Sequence, residues 1–301
     1  MKKKNNKPKN TEKNPNSTNI NWFPGHMAKT RRMMSESLKI TDVAAEILDA
    51  RIPVSSRNPE IDKILQNKPR IVILNKSDMS DPDMNRRWIE YFKNKGIAAV
   101  EVSCATGKGI NEISKYATEV LKEKTERDKA RGINRSVKIM LCGIPNVGKS
   151  SFINRVAGKA LTKTGDRPGV TRGKQWIRLS GGVELLDMPG ILWPKFESET
   201  VALNLAFTGA IKDEIMDMEE LACSLIGVLK TDYAQNLTER YKLDEISGLE
   251  NYEILEMIAR KRGFLMSGGV TDTLRAANIL LDEFRSTRLG RITLEKPGAV
   301  L

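Results

Sequence analysis

Histidine occurs once in these 301 residues, at His26, and cysteine three times, at Cys104, Cys142 and Cys223, with no paired spacing. Those counts exclude a zinc site of the usual kinds and a disulfide framework. Long apolar runs are missing as well. Although 40% of the residues are hydrophobic, no stretch approaches the ~18 apolar residues of a membrane span. The opening MKKKNNKPKNTEKNPNSTNI has lysines but no apolar centre of the kind a signal peptide needs. It reads as a disordered basic arm over 1–19, ahead of a soluble protein with a cytoplasmic address.

Positive charge is plentiful, and its placement is uneven. The formal net charge is +12. Residues 1–19 hold six lysines against one acid, and residues 257–301 hold eight basic residues against four acids, whereas 200–256 reverses the balance with four against twelve. A basic arm, a basic body over 20–199 and a basic C-terminal end fit a polyanionic partner. A surface charged only for solubility would give the same totals.

Apolar runs and helical patterns alternate over the first 190 residues. Strands are predicted in DVAAEILDA (42–50), RIVILN (70–75), AAVEVSC (98–104), VKIMLC (137–142), QWIRLS (175–180) and VELLD (183–187). Helices are predicted at about 27–39 and 83–95, in NPEIDKILQ through Ile61, Ile64 and Leu65, and in NEISKYATEVLKEK through Ile113, Tyr116, Ala117, Val120 and Leu121. Such alternation means an α/β fold, with a mostly parallel sheet and helices on both faces. EKTERDKARGINR (123–135) lacks an apolar stripe and reads as a linker. Past about residue 197 only helical patterns remain. In TDTLRAANILLDEF, Leu274, Ala277, Leu281 and Phe284 share a face behind a Thr271 or Asp272 cap. The expected organisation is an α/β domain over 20–197 and a smaller all-α domain over 198–301.

Within this frame, GIPNVGKS (143–150) fits G-x-x-x-x-G-K-[ST], with a strand before it and a helix after. Its glycines let backbone N–H groups turn inward around a phosphate, which puts Asn146, Val147, Gly148, Lys149, Ser150 and Ser151 at a nucleotide. Lys149 reaches the β- and γ-oxygens, and the Ser150 hydroxyl joins Mg²⁺. DMPG (187–190) ends a later strand: Asp187 would hold a Mg²⁺-bound water, and the Gly190 N–H would meet the γ-phosphate. Thr171, in the loop between, is the favoured second hydroxyl on Mg²⁺, with Thr162 and Thr164 as competitors. NKSD (75–78) supplies the choice of base through Asn75, Lys76 and Asp78. A carboxylate at Asp78 accepts from both N1–H and the 2-amino group of guanine, which adenine cannot match, so GTP is favoured over ATP. Ser103, Cys104 and Ala105, at the end of the next strand, would place a backbone N–H on the guanine oxygen.

The order is unusual, because the base-reading segment precedes the phosphate loop. In a parallel sheet every such loop works from a strand's C-terminal end, whatever order the chain visits the strands. The sequence base motif, SCA, phosphate loop, Thr171 loop and DMPG, together with WFPGHM (22–27) and DARIP (49–53), resembles the circularly permuted P-loop GTPases, and among them the ribosome biogenesis GTPase A family. The likeness runs motif by motif over 20–197. The C-terminal domain follows more loosely, through its length, helical pattern and GRITLE (290–295).

The resemblance implies a GTPase that assembles on the precursor of the large ribosomal subunit, touching rRNA and ribosomal proteins and cycling between GTP and GDP; a monomer is expected. Mg²⁺ is the implied cofactor, and K⁺ a second one ligated by Asn146. Ile191 stands where switch GTPases carry a water-orienting glutamine, so free hydrolysis is expected to be slow. By the permutation, the helix starting at WFPGHM should begin near the γ-phosphate, which makes His26 a candidate catalytic residue beside Lys149 and Thr171. Arg275, Arg285, Arg288 and Arg291, along and beyond the last helical pattern, are candidate rRNA contacts. The alternative is a signalling GTPase with protein partners only. A P-loop kinase is disfavoured by the base-reading motif.

Overall fold

The computed structural model describes residues 24–65, 68–133, 135–158, 176–179, 182–190, 198–211 and 213–298, the side chains of residues 24–30, 179 and 215 excepted. The basic arm, Thr162, Thr164, Thr171 and Ile191 lie outside the described residues.

The first half of the chain alternates α1 (Pro24–Ile40), β1 (Val43–Asp49), α2 (Pro59–Leu65), β2 (Arg70–Asn75), α3 (Pro82–Asn94) and β3 (Ala98–Glu101). Then follow α4 (Glu112–Val120), α5 (Lys122–Ala130), β4 (Val137–Cys142), α6 (Lys149–Ala157), β5 (Trp176–Leu179) and β6 (Val183–Asp187). The sheet order is β3-β2-β1-β4-β6-β5. All neighbours are parallel except β5, which pairs antiparallel to β6 at the edge.

The continuous apolar runs are explained by burial on both faces, with successive residues pointing to opposite sides. Val43, Ala45 and Ile47 of β1, Ile71 and Ile73 of β2, and Ile139 and Leu141 of β4 face one layer, under Ile113 and Ala117 of α4 and Phe152 of α6. Their neighbours face the other way. Ala44, Met140, Cys142, Leu186 and Met188 meet α1 and α2 through Met34, Leu38, Ile61 and Leu65. Leu48, Val72 and Leu74 meet α3 through Trp88 and Phe92.

Residues 123–135, read from sequence as a linker, are largely the nine-residue helix α5, which buries none of its side chains. A helix polar all round gives no periodic signal, which is why the pattern missed it.

Beyond the sheet lie α7 (Glu199–Phe207), α8 (Met218–Asp232), α9 (Ala234–Tyr241), α10 (Asn251–Lys261) and α11 (Thr273–Arg285). They close over a separate core built from Leu221, Leu225, Leu229, Ile254, Ile258, Leu280, Leu281 and Phe284. The Asp272 side chain caps α11 by accepting from Arg275 N–H. Of the expected face, Ala277, Leu281 and Phe284 are buried, whereas Leu274 is 52% exposed; Thr273, Ala276 and Leu280 complete the inward face.

Two elements join the cores. Helix α7 places Leu205 in the sheet's core and Ala206 and Phe207 in the helical one. After α11 the chain returns to the sheet: the buried Glu295 carboxylate accepts from the N–H groups of Val54 (2.5 Å) and Ser55 (2.9 Å), the Ser55 hydroxyl and Asn204 Nδ2 (3.1 Å). Trp88 Nε1 donates to the Glu295 carbonyl at 3.1 Å.

Candidate nucleotide site

The C-terminal strand ends bring the motifs to one edge. The loop 143–148 links β4 to α6, and its glycines are required by space. A Cβ on Gly143 (φ +152°) would stand 2.6 Å from the Ile47 carbonyl oxygen, and one on Gly148 (φ +97°) would stand 2.2 Å from Asn75 Nδ2. Asn75 of NKSD therefore touches the phosphate loop directly. Its Nδ2 donates to the Val147 carbonyl at 2.7 Å, and its Oδ1 accepts from Cys104 Sγ at 3.0 Å. One amide thus ties together the base motif, the phosphate loop and SCA. Burial, reinforced by Asp78 nearby, pushes the Cys104 thiol up to about 11 and keeps it protonated as that donor.

At the phosphate end, Lys149 Nζ donates to the carbonyls of Gly143 (3.1 Å) and Ile144 (3.0 Å). Burial pushes its pKa down to about 8 against the opposing pull of Asp187. Asp187, at the end of β6, is pushed up by burial with Lys149 opposing, and its Oδ1 is buried without a hydrogen-bond partner. Gly190 lies against the same loop: a Cβ there would be 2.7 Å from Lys149 Nζ and 3.0 Å from Pro145 N. Ser150 and Ser151 open α6 with both residues exposed.

An orphaned carboxylate oxygen at Asp187, under the charge of Lys149, whose next residue Ser150 offers a hydroxyl at the start of α6, fits Mg²⁺ held by Ser150, water and phosphate oxygens. Among the described residues no cluster of three or more His, Cys, Asp or Glu could cage a metal. Asn146 has a left-handed backbone (φ +64°), and its Nδ2 donates to the Gly209 carbonyl at 2.8 Å. The phosphate loop is thereby bonded to the turn after α7, while among the described residues Asn146 Oδ1 has no hydrogen-bond donor.

At the base end, Lys76 also takes a left-handed backbone (φ +60°), and its Nζ lies 2.9 Å from Asp49 Oδ2. Asp49 is buried and accepts as well from Arg51 Nε (3.0 Å) and Nη2 (2.7 Å). Burial alone would raise the Asp49 pKa, but the Arg51 and Lys76 cations outweigh it and hold the carboxylate far below its usual range. Asp49 and Arg51 were legible only as part of the DARIP signature; an acid and a base two apart after a buried strand was the available signal. Ser77 N–H donates to the Val102 carbonyl (3.1 Å), and Asp78 remains partly exposed. Ser103 Oγ accepts from Thr106 N–H at 3.1 Å and shapes the loop in which Ala105 is exposed.

The four candidate RNA-contacting arginines divide. Arg285 spends its guanidinium inside the chain, on Asp213 (both oxygens at 2.7 Å) and on the carbonyls of Phe207 (3.0 Å) and Ala206 (2.9 Å). Arg291 donates to the carbonyls of Ser80 (2.8 Å) and Ser77 (2.7 Å). Arg288 is exposed, and Arg275 is exposed with its guanidinium 4.5 Å from the Phe264 ring centroid. His26 falls in the first turn of α1, and its side chain lies outside the described residues.

A family model described as "50S ribosome-binding GTPase" matches residues 138–257. Ribosome biogenesis GTPase A of Priestia megaterium is 49% identical over 281 residues, covering 93% of this chain and 97% of its own. Mitochondrial ribosome-associated GTPase 1 of Mus musculus is 33% identical over 91% of this chain and 90% of its own. Among solved structures, GDP-bound YlqF of Thermotoga maritima matches with a TM-score of 0.66 at 26% identity, over 89% of this chain and 100% of that one. With half its residues shared along almost the full length of a curated relative, the chain belongs to the ribosome biogenesis GTPase A family, circularly permuted P-loop enzymes that hydrolyse GTP to GDP and phosphate.

Proposed function

We propose that the protein is an assembly factor that binds the maturing large ribosomal subunit, chiefly its rRNA, in the GTP state and leaves on hydrolysis. The observation that carries this reading is the pair of links between the phosphate end and the helical unit. The Asp187–Gly190 loop leads by chain directly towards α7, and Asn146 of the phosphate loop is bonded to Gly209 just after α7. A change at the γ-phosphate has a short route to the helices. The names of the relatives and the basic arm, body and C-terminal end support a ribosomal partner.

In this reading residues 20–197 form the GTPase domain and 198–301 the rRNA-binding domain of a cytoplasmic monomer. Asn75, Lys76, Asp78 and Ser103–Ala105 hold guanine; Asn146–Ser151 and Gly190 hold the phosphates. Mg²⁺ would be held by Ser150, Thr171 and, through water, Asp187, and would offset charge on the β- and γ-phosphates. Lys149 exchanges its two carbonyl partners for phosphate oxygens. Asn146 Oδ1 would ligate K⁺, and equal GTP turnover in KCl and NaCl at one ionic strength would remove that claim. Arg288 and Arg275, exposed and with no side-chain hydrogen bond among the described residues, are the members of the arginine set that meet phosphates; Arg291 is exposed as well but bonded to the Ser77 and Ser80 carbonyls.

His26 is assigned to orienting the attacking water on the ribosome. Helix α1 ends beside the start of β1, so its first turn points back towards the strand ends where the nucleotide sits. His26→Ala should lower ribosome-stimulated kcat about a hundredfold with GTP affinity unchanged; an unaltered kcat would sink the assignment. The function as a whole is tested by sedimenting cell extract with a non-hydrolysable GTP analogue. Co-migration with the large subunit is expected, and protein that stays at the top of the gradient would favour the signalling alternative.

A further inference from the structure

We propose that Arg291, with the segment 291–295 that carries it, is a positioning residue for guanine recognition: the C-terminal strap holds the turn that presents Asp78. The proposal rests on the reading that residues 75–78 read the base.

Discrimination by Asp78 needs both carboxylate oxygens aligned with two donors on one base edge, so a small rotation of its turn loses one bond of the two. Side chains anchor the ends of the turn, Lys76 on Asp49 (2.9 Å) and Ser80 Oγ on Asn85 Oδ1 (2.8 Å), but its backbone between them has only the bonds from Met79 N–H to the Lys76 carbonyl (2.8 Å) and from Ser77 N–H to Val102. Its outward carbonyls are taken up from 214 positions away in sequence. Arg291 Nη2 reaches the Ser77 carbonyl at 2.7 Å and Nε the Ser80 carbonyl at 2.8 Å, so one planar fork bridges the residues on both sides of Asp78. Ile292 N–H takes the Met79 carbonyl at 3.2 Å, and Thr293 Oγ1 accepts from Asp81 N–H at 3.1 Å. Although Arg291 keeps surface in solvent, both its acceptors belong to buried residues, Ser77 at 2% and Ser80 at 0% exposure.

The strap belongs to the helical unit as much as to the sheet. Tyr233, between α8 and α9, donates its hydroxyl to the Thr293 carbonyl (2.9 Å) and accepts from Thr293 N–H (3.1 Å). Leu294 N–H bonds the Arg51 carbonyl at 2.8 Å, in the turn whose Asp49 holds Lys76. The Arg51 guanidinium stands over the Phe284 ring of α11, 5.5 Å from its centroid. The base-reading residues are therefore braced on both sides by parts of the helical unit. By linkage, whatever shifts that unit changes guanine affinity, and guanine steadies the unit by an equal factor.

The test compares GDP with IDP, whose hypoxanthine lacks the 2-amino group, by titration calorimetry on the full chain and on Arg291→Ala and Arg291→Lys. Wild type should prefer GDP. Arg291→Ala should lower the GDP/IDP affinity ratio by about tenfold, the worth of one hydrogen bond, because GDP loses more than IDP. Arg291→Lys keeps the charge but not the fork and should fall between; it also decides the matter if Arg291→Ala fails to fold. A strap that only stabilises the fold would leave the ratio at its wild-type value, and that result overturns the proposal. A wild-type chain with no preference for GDP would instead overturn the reading of residues 75–78.

Discussion

Replacing Arg285 separates a structural arginine from an RNA-binding one. It stands three residues before the exposed Arg288, yet four of its five N–H donors are spent within the chain. In Arg285→Ala the Phe207 carbonyl loses its partner, while the Ala206 carbonyl keeps Gly209 N–H at 3.0 Å. Both residues are 1% exposed, so these two losses together cost about 1.5–2 kcal/mol. The Asp213 pair is worth less, because the Asp213 side chain is 42% exposed; screening limits it to about 0.5–1 kcal/mol. The expected loss is about 2–3 kcal/mol, a large share of the ~5–15 kcal/mol that holds a domain together.

The loss should appear in the urea transition of the helical signal. The Arg285 hydrogen bond lowers the Asp213 pKa below 3.8, so the pair's contribution is complete above pH 3.8 and fades as pH falls through the folded value. The gap between wild type and variant should narrow there to the carbonyl part alone. Arg288→Ala should leave stability within about 0.5 kcal/mol and lower the salt slope of RNA binding by about one. If instead Arg285→Ala unfolds like wild type and loses RNA affinity, the guanidinium is free in solution and the reasoning fails.

Gly148→Ala forces a Cβ into the 2.2 Å gap to Asn75 Nδ2 at a positive φ; nucleotide binding measured by calorimetry should fall at least a hundredfold, and a near-normal Kd would show that Asn75 does not need that bond. Lys149, held down to about 8 by burial, should regain its proton when phosphates arrive. GTP binding at pH 9 should therefore take up protons, seen as a heat that varies with buffer ionisation enthalpy, whereas at pH 6.5 it should not; buffer-independent heat at pH 9 would refute the shift.

The sheet was legible because its strands are buried on both faces, which leaves little choice but β-branched and aliphatic runs such as RIVILN and VKIMLC. The nucleotide loops were legible because fixed spacings serve fixed phosphate geometry. Whether an arginine is free or spent was not legible: Arg285 and Arg291 read the same as Arg288 until their acceptors, 72 and more positions away, come into view. Helix α5 hid for the opposite reason, since a helix with nothing to bury carries no period.

The order in which the parts are made gives the strap a further consequence. Ser77 and Arg291 are 214 residues apart, and at ~5–20 residues per second roughly 10–40 s separate their synthesis. The turn that presents Asp78 emerges early, beside a sheet that still lacks β4 and its phosphate loop, and its brace is made only after β6 and the helices α7–α11. A nascent or truncated chain can thus close its sheet and hold phosphates before its grip on guanine is finished. On the proposal above, full selectivity for the base arrives only once residues 291–295 have been made.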